Sequence, residues 1–307
     1  MAVDTLSSDQ ATTPTGLVDL LIDDAAVFPP GLAAVGDAVP AHRRIRASAL
    51  GRFVGPFLLP ATAWRDLVPL LDDESPLPVV LISRRGDDIA DLAPALRGLG
   101  RERGARVAGV ELALPAGESD PRPTLAAAAE MLTVHQAVTV EFDGTDPDRA
   151  LAALAEARRS GDRAVRGKFR TGGTRPQDSP DAGVLAEVIA AATGRHVPIK
   201  FTAGLHHAVT GPHGPGGSVQ YGVLNVVLAV HRAAGVDARA GSVPARRVVD
   251  SLRTDDPDAL AAQAISLDPA QVRTVRSVFT SFGCCEVTEP IAELTALGVI
   301  TPEGRMP

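Results

Sequence analysis

Lysine is rare in this sequence, and the two lysines present are the side chains best suited to carbonyl chemistry. Of the thirty basic side chains, 28 are arginine, and only Lys168 and Lys200 are lysine. An amine can lose its proton near neutral pH and attack a carbonyl carbon, whereas a guanidinium stays charged and does neither. Because arginine supplies positive charge everywhere else, the two lysines suggest a function that needs an amine; the alternative interpretation is that their positions are due to chance.

The lysines lie in two of eight short apolar runs that are typical of β-strands. The predicted strands cover residues 26–28, 53–59, 78–83, 107–113, 137–142, 165–170, 197–202 and 277–281. Predicted helices between them cover residues 61–71, 124–132, 147–159, 182–193 and 223–234. The first seven strands start 25 to 32 residues apart, which is the length of one βα unit.

Eight such units predict one (β/α)8 barrel of the TIM type, with a helical insertion at about 235–276 before the last strand. The predicted domain covers residues 17–307 and follows a flexible N-terminal tail, residues 1–16. An open, doubly wound sheet is the alternative, but no G-x-G-x-x-G motif follows the first strand to support a dinucleotide site.

Strand alternation predicts which side chains point into the barrel. Apolar residues of one phase pack on the helices, and the other phase carries Glu111, Glu141, Lys168, Arg170 and Lys200 from four successive strands. All five lie near the carboxyl ends of their strands, where active sites of (β/α)8 barrels lie. The alternative interpretation is an ion-pair network that only stabilises the barrel.

Two buried lysines at the same height would lower each other's pKa, because burial and a neighbouring cation both oppose protonation. One amine would then be neutral near pH 7 and form a Schiff base with an aldehyde or ketone. Glu111 or Glu141 would transfer protons to and from the intermediate.

The stretches GKFRTGGT (167–174) and IKFTAGLHH (199–207) resemble the sixth and seventh strands of class I aldolases of the deoxyribose-phosphate aldolase type. The resemblance implies that Lys168 is the Schiff-base lysine, that Lys200 lowers its pKa, and that Glu111 replaces the proton-relay aspartate. The whole chain also resembles a group of uncharacterised bacterial proteins with F-P-P, A-G-L-H-H and S-F-G segments, which implies no activity.

Gly-rich turns beside these strands predict a site for an anionic substrate. Arg170 with the turn residues Thr171, Gly172 and Gly173 forms a candidate carboxylate or phosphate cradle, and residues 214–218 form a second. Together with an expected surplus of positive charge inside the barrel, they favour an anionic ligand. Ser281, at the end of the last strand, is a further candidate substrate contact.

Histidines supply an alternative chemistry in the loop after the seventh strand. His206 and His207 are candidate substrate contacts, or divalent-metal ligands together with Glu141 or Asp143, and His213 is a further candidate ligand. Two other features are interpreted as structural: Asp23 and Asp24 as helix-terminal residues, and the vicinal pair Cys284 and Cys285 as part of a tight turn, although Cys284 could face the site. 

The composition of the chain limits the classes of molecule that it is expected to bind. The net charge of −7 without a basic stripe argues against nucleic acid and anionic membranes. No apolar run approaches the roughly 20 residues of a membrane span, and the two adjacent cysteines provide no disulfide framework. We therefore expect a cytoplasmic protein that acts on a small molecule, and self-association stays open.

The sequence leads to three hypotheses. The first is an aldolase-like lyase that uses a lysine Schiff base and no cofactor. The second is a metal-dependent barrel hydrolase or isomerase. The third is a non-catalytic ligand-binding barrel in which the lysines are fully ion-paired.

Overall fold

Eight parallel strands form a closed barrel in chain order, which confirms the predicted (β/α)8 fold. The computed structural model describes residues 16–133, 136–161, 164–235 and 245–301, so the predicted N-terminal tail lies outside the described residues except for Gly16. Within these residues, no helix is long and apolar enough to cross a membrane.

The strands are β1 (Ile22–Asp24), β2 (Val54–Pro60), β3 (Leu77–Ser83), β4 (Ala105–Ala113), β5 (Ala137–Glu141), β6 (Val165–Arg170), β7 (Ile199–Thr202) and β8 (Phe279–Cys284). The helices are α1 (Val35–Arg46), α2 (Trp64–Leu67), α3 (Leu92–Leu99), α4 (Arg122–Ala129), α5 (Pro147–Ser160), α6 (Ala182–Gly194), α7 (Val223–Ala234), α8 (Ala245–Arg253), α9 (Pro257–Ile265), α10 (Pro269–Val278) and α11 (Thr288–Ala296).

The first strand was predicted at the wrong place. It covers Ile22–Asp24 rather than residues 26–28. After Asp24 the amide of Ala25 donates to the carbonyl of Cys284, and the chain then turns, with the amide of Phe28 donating back to the carbonyl of Ala25. The prolines that follow lack the N–H that a strand needs to pair.

The last strand was also predicted too early, because α10 continues to Val278 and β8 begins only at Phe279. Helices α8, α9 and α10 confirm a helical insertion before this strand, although residues 236–244 of the predicted insertion lie outside the described residues. Asp256 and Asp268 cap the first turns of α9 and α10 by accepting backbone N–H groups.

Buried Asn225 of α7 attaches this insertion to the barrel. Its side-chain amide donates to the carbonyls of Ser251 (2.8 Å) and Thr254 (2.7 Å) at the end of α8. Its side-chain oxygen accepts the amide of Thr210, in the loop after β7, at 2.8 Å. One buried side chain therefore satisfies polar groups from two segments, which would otherwise be costly to bury.

The main hydrophobic core lies between the strands and the surrounding helices. On β2 and β3 it takes Phe57, Leu59, Val79 and Leu81, which alternate with residues of the opposite phase. The inner surface of the barrel is therefore built from the other phase of each strand, and that surface holds the candidate site.

Candidate active site

Lys168 lies inside the barrel between two carboxylates. Its register partners are Glu141 on β5 and Lys200 on β7. Its Nζ lies 2.7 Å from Oε2 of Glu111 and 3.0 Å from Oε2 of Glu141. Lys168, Lys200, Glu111 and Glu141 are all buried. The structure thus brings together the four residues that the sequence predicts as catalytic.

Lys200 completes the cluster from the other side. Its Nζ donates to Oδ2 of Asp23 at 2.6 Å and to Oε1 of Glu111 at 2.5 Å, so Glu111 is shared by both lysines. Ser281, predicted as a substrate contact, is in register with Lys200, and its hydroxyl donates to Oδ2 of Asp23 at 2.8 Å. We call these six residues the ionic network: Asp23, Glu111, Glu141, Lys168, Lys200 and Ser281.

Asp23 is the member of the network that the sequence interpretation missed. It was assigned as a helix-terminal residue, but it lies in β1 and is only 4% exposed. A Cβ at Gly55 on the neighbouring strand would lie 2.2 Å from Oδ1 of Asp23, so a glycine there leaves the room that this carboxylate needs. The signal available in the sequence was the predicted inward-facing set, in which three cationic side chains, Lys168, Arg170 and Lys200, face only two carboxylates.

Asp24 has a different environment. Its Oδ2 lies 2.9 Å from Nδ1 of His42, a fully buried histidine of α1, and its Oδ1 accepts the amide of Ala26. The two adjacent aspartates therefore face opposite sides of β1, with Asp23 inside the barrel and Asp24 toward the surrounding helices.

The electrostatics of the network keep its members ionised. Burial opposes ionisation of Glu111, but the charges of Lys168 and Lys200 outweigh it and lower the pKa of Glu111 to about 2. Burial also opposes ionisation of Glu141, yet Lys168 and Arg170 lower the pKa of this carboxyl. For Lys168, burial favours the neutral amine, but Glu111 and Glu141 outweigh it and raise the pKa.

The pKa of Lys168 is therefore shifted in the direction opposite to the one expected from the sequence. That expectation considered burial and the second lysine, both of which favour the neutral amine. In the structure, two carboxylates contact the ammonium directly, and their attraction dominates. Lys168 is thus a protonated lysine that has proton acceptors within hydrogen-bond distance.

Arg170 lies at the end of β6, two residues beyond Lys168. Its guanidinium is half exposed and lies 3.6 Å from Oε1 of Glu141. With Asp23 included, three carboxylates face three cationic side chains in this part of the barrel, so these six charges alone give no surplus of positive charge. An anion that enters at the mouth, the end of the barrel formed by the carboxyl ends of the strands, would meet half-exposed Arg170 before the buried lysines.

The loops after β6 and β7 meet backbone to backbone beside Arg170. A Cβ at Gly172 would lie 2.4 Å from the carbonyl oxygen of Ala203, and a Cβ at Gly204 would lie 2.8 Å from the carbonyl of Thr171. Ala203 adopts the left-handed conformation with φ of 63°. In the described part of the chain, the amides of Gly172 and Gly204 donate no backbone hydrogen bond. Both glycines are buried, and their N–H groups are candidate donors to an anionic ligand.

The other Gly-rich positions are placed differently. A Cβ at Gly173 would lie 2.4 Å from the carboxylate of Asp178, so this glycine faces its own loop. Residues 214–218 form a tight turn, closed by the amide of Gly214 donating to the carbonyl of Ser218 at 2.8 Å. This turn borders a groove of about 810 Å³ that Pro180, Tyr221, Leu252 and other residues line outside the barrel.

The histidines contact α11 and the cysteines rather than the lysines. Nδ1 of His207 lies 2.7 Å from Oε1 of Glu293, and its ring stacks on His213 at 3.8 Å between ring centroids. Nδ1 of His206 lies 3.7 Å from Oε2 of Glu289. Among the described residues, no three His, Cys, Asp or Glu side chains form a group suited to a metal ion.

Cys284 is part of the outer core of the barrel, and its thiol is not poised as a nucleophile. Its Sγ donates to the carbonyl of Glu286 at 3.2 Å and lies 3.6 Å from Nδ1 of His206. Burial raises the pKa of the Cys284 thiol and lowers the pKa of His206, so the environment of each group favours its neutral form. Burial also raises the pKa of Cys285.

Asp143, the other candidate metal ligand, follows β5 and lies at the rim. Its Oδ2 is 3.5 Å from the guanidinium of Arg85 and accepts the amide of Gly117 at 3.4 Å. It is therefore a loop-stabilising residue in this arrangement.

One part of the inner surface at the barrel mouth is apolar. Ala25, Leu58 and Ile82 are buried there, with Phe28 and Val80 packed against them, in a cluster separate from the main core. We call these five residues the apolar wall. They escaped the sequence interpretation, which considered only polar inward-facing side chains.

Comparisons with protein-family models, curated proteins and solved structures find no match. Functional inference therefore rests on the geometry of the ionic network, the mouth of the barrel and the apolar wall.

Proposed function

We propose that this protein is an aldolase-like lyase that forms a Schiff base between Lys168 and a small, anionic carbonyl compound. The observation that carries the proposal is the position of Nζ of Lys168, buried between carboxylates of Glu111 and Glu141 at 2.7 and 3.0 Å. Lys168 lies near the carboxyl end of its strand, where active sites of such barrels usually lie. Its amine has proton acceptors on two sides, which imine formation needs.

The first step requires Lys168 to lose its proton. Glu141 is the better acceptor, because Glu111 is also held by Lys200, and because the Glu141 side chain is 10% exposed against 3% for Glu111. Burial favours the neutral form of both an ammonium and a carboxylate, so a substrate that excludes the remaining water favours this transfer. The resulting amine of Lys168 and carboxylic acid of Glu141 lie 3.0 Å apart, which is hydrogen-bond distance.

The neutral amine then attacks the carbonyl carbon, and a C–N bond forms. The carbonyl oxygen takes the proton from Glu141, a second proton follows from the nitrogen through the same carboxylate, and the oxygen leaves as water. The nitrogen keeps its one remaining hydrogen, so loss of water leaves a protonated imine, which is an electron sink that accepts the electron pair of the carbon–carbon bond being cleaved. Lys200, Asp23 and Ser281 hold Glu111 in place beside this centre.

Binding of the anionic group is assigned to the mouth. Arg170 is half exposed beside Glu141, and within the described residues the amides of Gly172 and Gly204 on the adjoining loops donate no backbone hydrogen bond. A carboxylate or phosphate accepts hydrogen bonds from such donors without needing a net positive interior. We infer a cytoplasmic enzyme from the composition.

A second candidate is a non-catalytic ligand-binding barrel. It is favoured by the ion pairing of both lysines and by the raised pKa of Lys168. In this candidate, the only role of the network is to hold β1 and β4–β8 together. The two candidates differ in one property, which is whether Nζ of Lys168 becomes covalently bound to a carbonyl compound.

The test is intact-mass spectrometry after borohydride reduction with a panel of aldehydes, ketones and 2-oxo acids. Because the chain has two lysines, an adduct can be assigned to Lys168, Lys200 or the α-amino group by peptide mapping. We expect a stoichiometric adduct at Lys168 in wild type and none in Lys168→Arg. Lys200→Arg is the matched control, and it should retain a slower adduct at Lys168.

Circular dichroism must show that both variants are folded. A folded wild-type protein that gives no adduct with any member of the panel would contradict the imine mechanism and leave the ligand-binding barrel as the better description.

A further inference from the structure

The apolar wall has no role in imine formation, yet it lies on the same inner surface of the barrel as the ionic network. Leu58 is in register with Val80, and Ile82 is in register with Glu111. Leu58, Val80 and Ile82 alternate with residues that pack on the helices, so their side chains point into the barrel. A ligand that reaches Lys168 therefore has the ionic network on one side and the apolar wall on the other.

We propose that the substrate carries an aliphatic group that packs on this wall, and that it is an alkyl-substituted 2-oxo acid. The inference rests on the proposed function of Lys168 and specifies its substrate class. Within the wall, Ala25, Leu58 and Ile82 are buried, whereas Phe28 and Val80 are only partly buried. Apolar side chains at a ligand-accessible mouth gain most when a ligand covers them with apolar surface.

The chemistry of the wall excludes a polyhydroxylated chain at this position. None of its five side chains carries a hydroxyl, amide or charge. A substrate hydroxyl placed there would lose its hydrogen bonds to water and find no side-chain partner, which is unfavourable in a buried site. An alkyl group has no such requirement, so the wall selects against sugar-like substrates.

A gap that the alkyl group of the substrate could enter lies beside Gly283 of β8. Gly283 has no side chain, and a Cβ there would lie 3.4 Å from both Cδ1 of Leu58 and Oγ1 of Thr202. The glycine therefore marks the boundary between the apolar wall and the polar side of the mouth, and its missing side chain leaves a gap about the size of one methyl group between Leu58 and Thr202.

The position of the anionic group identifies the 2-oxo acid. Arg170 follows Lys168 by two residues on the same strand and ends at the mouth beside Glu141. A carboxylate attached directly to the reacting carbonyl carbon would reach Arg170 while the carbonyl carbon stays at Nζ of Lys168. The alkyl chain on the other side of the carbonyl then extends toward Ile82 and Leu58.

Isothermal titration calorimetry with two ligands of equal carbon number tests this assignment. We expect 2-oxopentanoate to bind at least about tenfold more tightly than 4,5-dihydroxy-2-oxopentanoate, because each buried methylene contributes about fourfold and each unpaired hydroxyl opposes binding. Leu58→Ala should reduce this ratio by about tenfold. Leu59→Ala changes the adjacent residue, which belongs to the main core, and should leave the ratio unchanged.

Equal or tighter binding of the dihydroxy acid, no binding of 2-oxopentanoate, or an unchanged ratio in Leu58→Ala would overturn the inference. Calorimetry reports binding whether or not an imine forms, so its result is independent of borohydride trapping. An alkyl preference without any adduct would support the role of the wall and contradict only the lyase mechanism.

Discussion

The inner surface of this barrel consists of two unlike halves. From β4 to β7, and at Asp23 of β1, charged side chains contact one another at 2.5 to 3.0 Å. From β1 to β3 the mouth is lined by the apolar wall, whose five side chains pack against one another. The two halves meet at Ile82 and Glu111, which are register partners on adjacent strands.

The difference between the halves lies in how strongly their residues depend on one another. Each carboxylate of the ionic half offsets the burial of a lysine, so removal of one partner leaves a buried charge without compensation. Residues of the apolar wall contribute through area, and each loss is local. The ionic half is therefore suited to hold catalytic groups in one arrangement, and substitutions in the apolar half can change which substrate shapes fit.

The largest expected effect follows from removing the carboxylate that both lysines share. Glu111→Gln should reduce the free energy of unfolding by about 3–5 kcal/mol, because it leaves two buried ammonium groups short of counter-charge. Urea unfolding followed by circular dichroism measures the change. Glu187→Gln, on the exposed face of α6, is the control and should change stability by less than about 0.5 kcal/mol.

A loss below about 1 kcal/mol for Glu111→Gln would mean that water or other side chains replace the carboxylate, and that the two halves do not differ in mutual dependence.

A smaller effect compares the apolar wall with the main core on one strand. Leu59→Ala should cost about 2–5 kcal/mol, because it leaves a cavity among fully buried side chains. Leu58→Ala should cost about 1–3 kcal/mol, since its neighbours Phe28 and Val80 are partly exposed and water can enter the space. Equal losses measured by urea unfolding would show that the wall is as closed as the core.

The pH dependence of stability isolates the ionic half. The pKa of Glu111 is lowered from 4.5 to about 2, so below pH 4.5 the unfolded chain binds a proton before the folded protein does. Stability from this group is complete above pH 4.5 and is lost as pH falls toward 2. The difference in unfolding free energy between wild type and Glu111→Gln should therefore shrink over this range, and a constant difference would contradict the pKa shift.

Much of this arrangement follows from sequence alone. Alternation within β4 to β7 placed Glu111, Glu141, Lys168, Arg170 and Lys200 on the inner surface, and the spacing of strands predicted the barrel. These inferences hold because period-two alternation in a parallel strand leaves each side chain only two faces.

The sequence did not place Asp23, because β1 has only three residues and too short a pattern to show a period. The sequence also did not predict the sign of the pKa shift of Lys168. The shift depends on contacts of about 3 Å between side chains of neighbouring strands, and these contacts depend on strand register. The apolar wall was invisible for a different reason. An apolar residue that faces inward looks the same in sequence as one that faces the helices.

The smallest expected effect on stability tests the boundary between the halves. Gly283→Ala places a Cβ at 3.4 Å from Leu58 and Thr202, an ordinary contact distance, so the free energy of unfolding should change by less than about 1 kcal/mol. The same methyl group occupies the space that the alkyl chain of the ligand needs. Affinity for 2-oxopentanoate should therefore fall by about tenfold, while the urea midpoint stays close to that of wild type. A variant that binds 2-oxopentanoate as well as wild type would show that the ligand does not pass between the two halves.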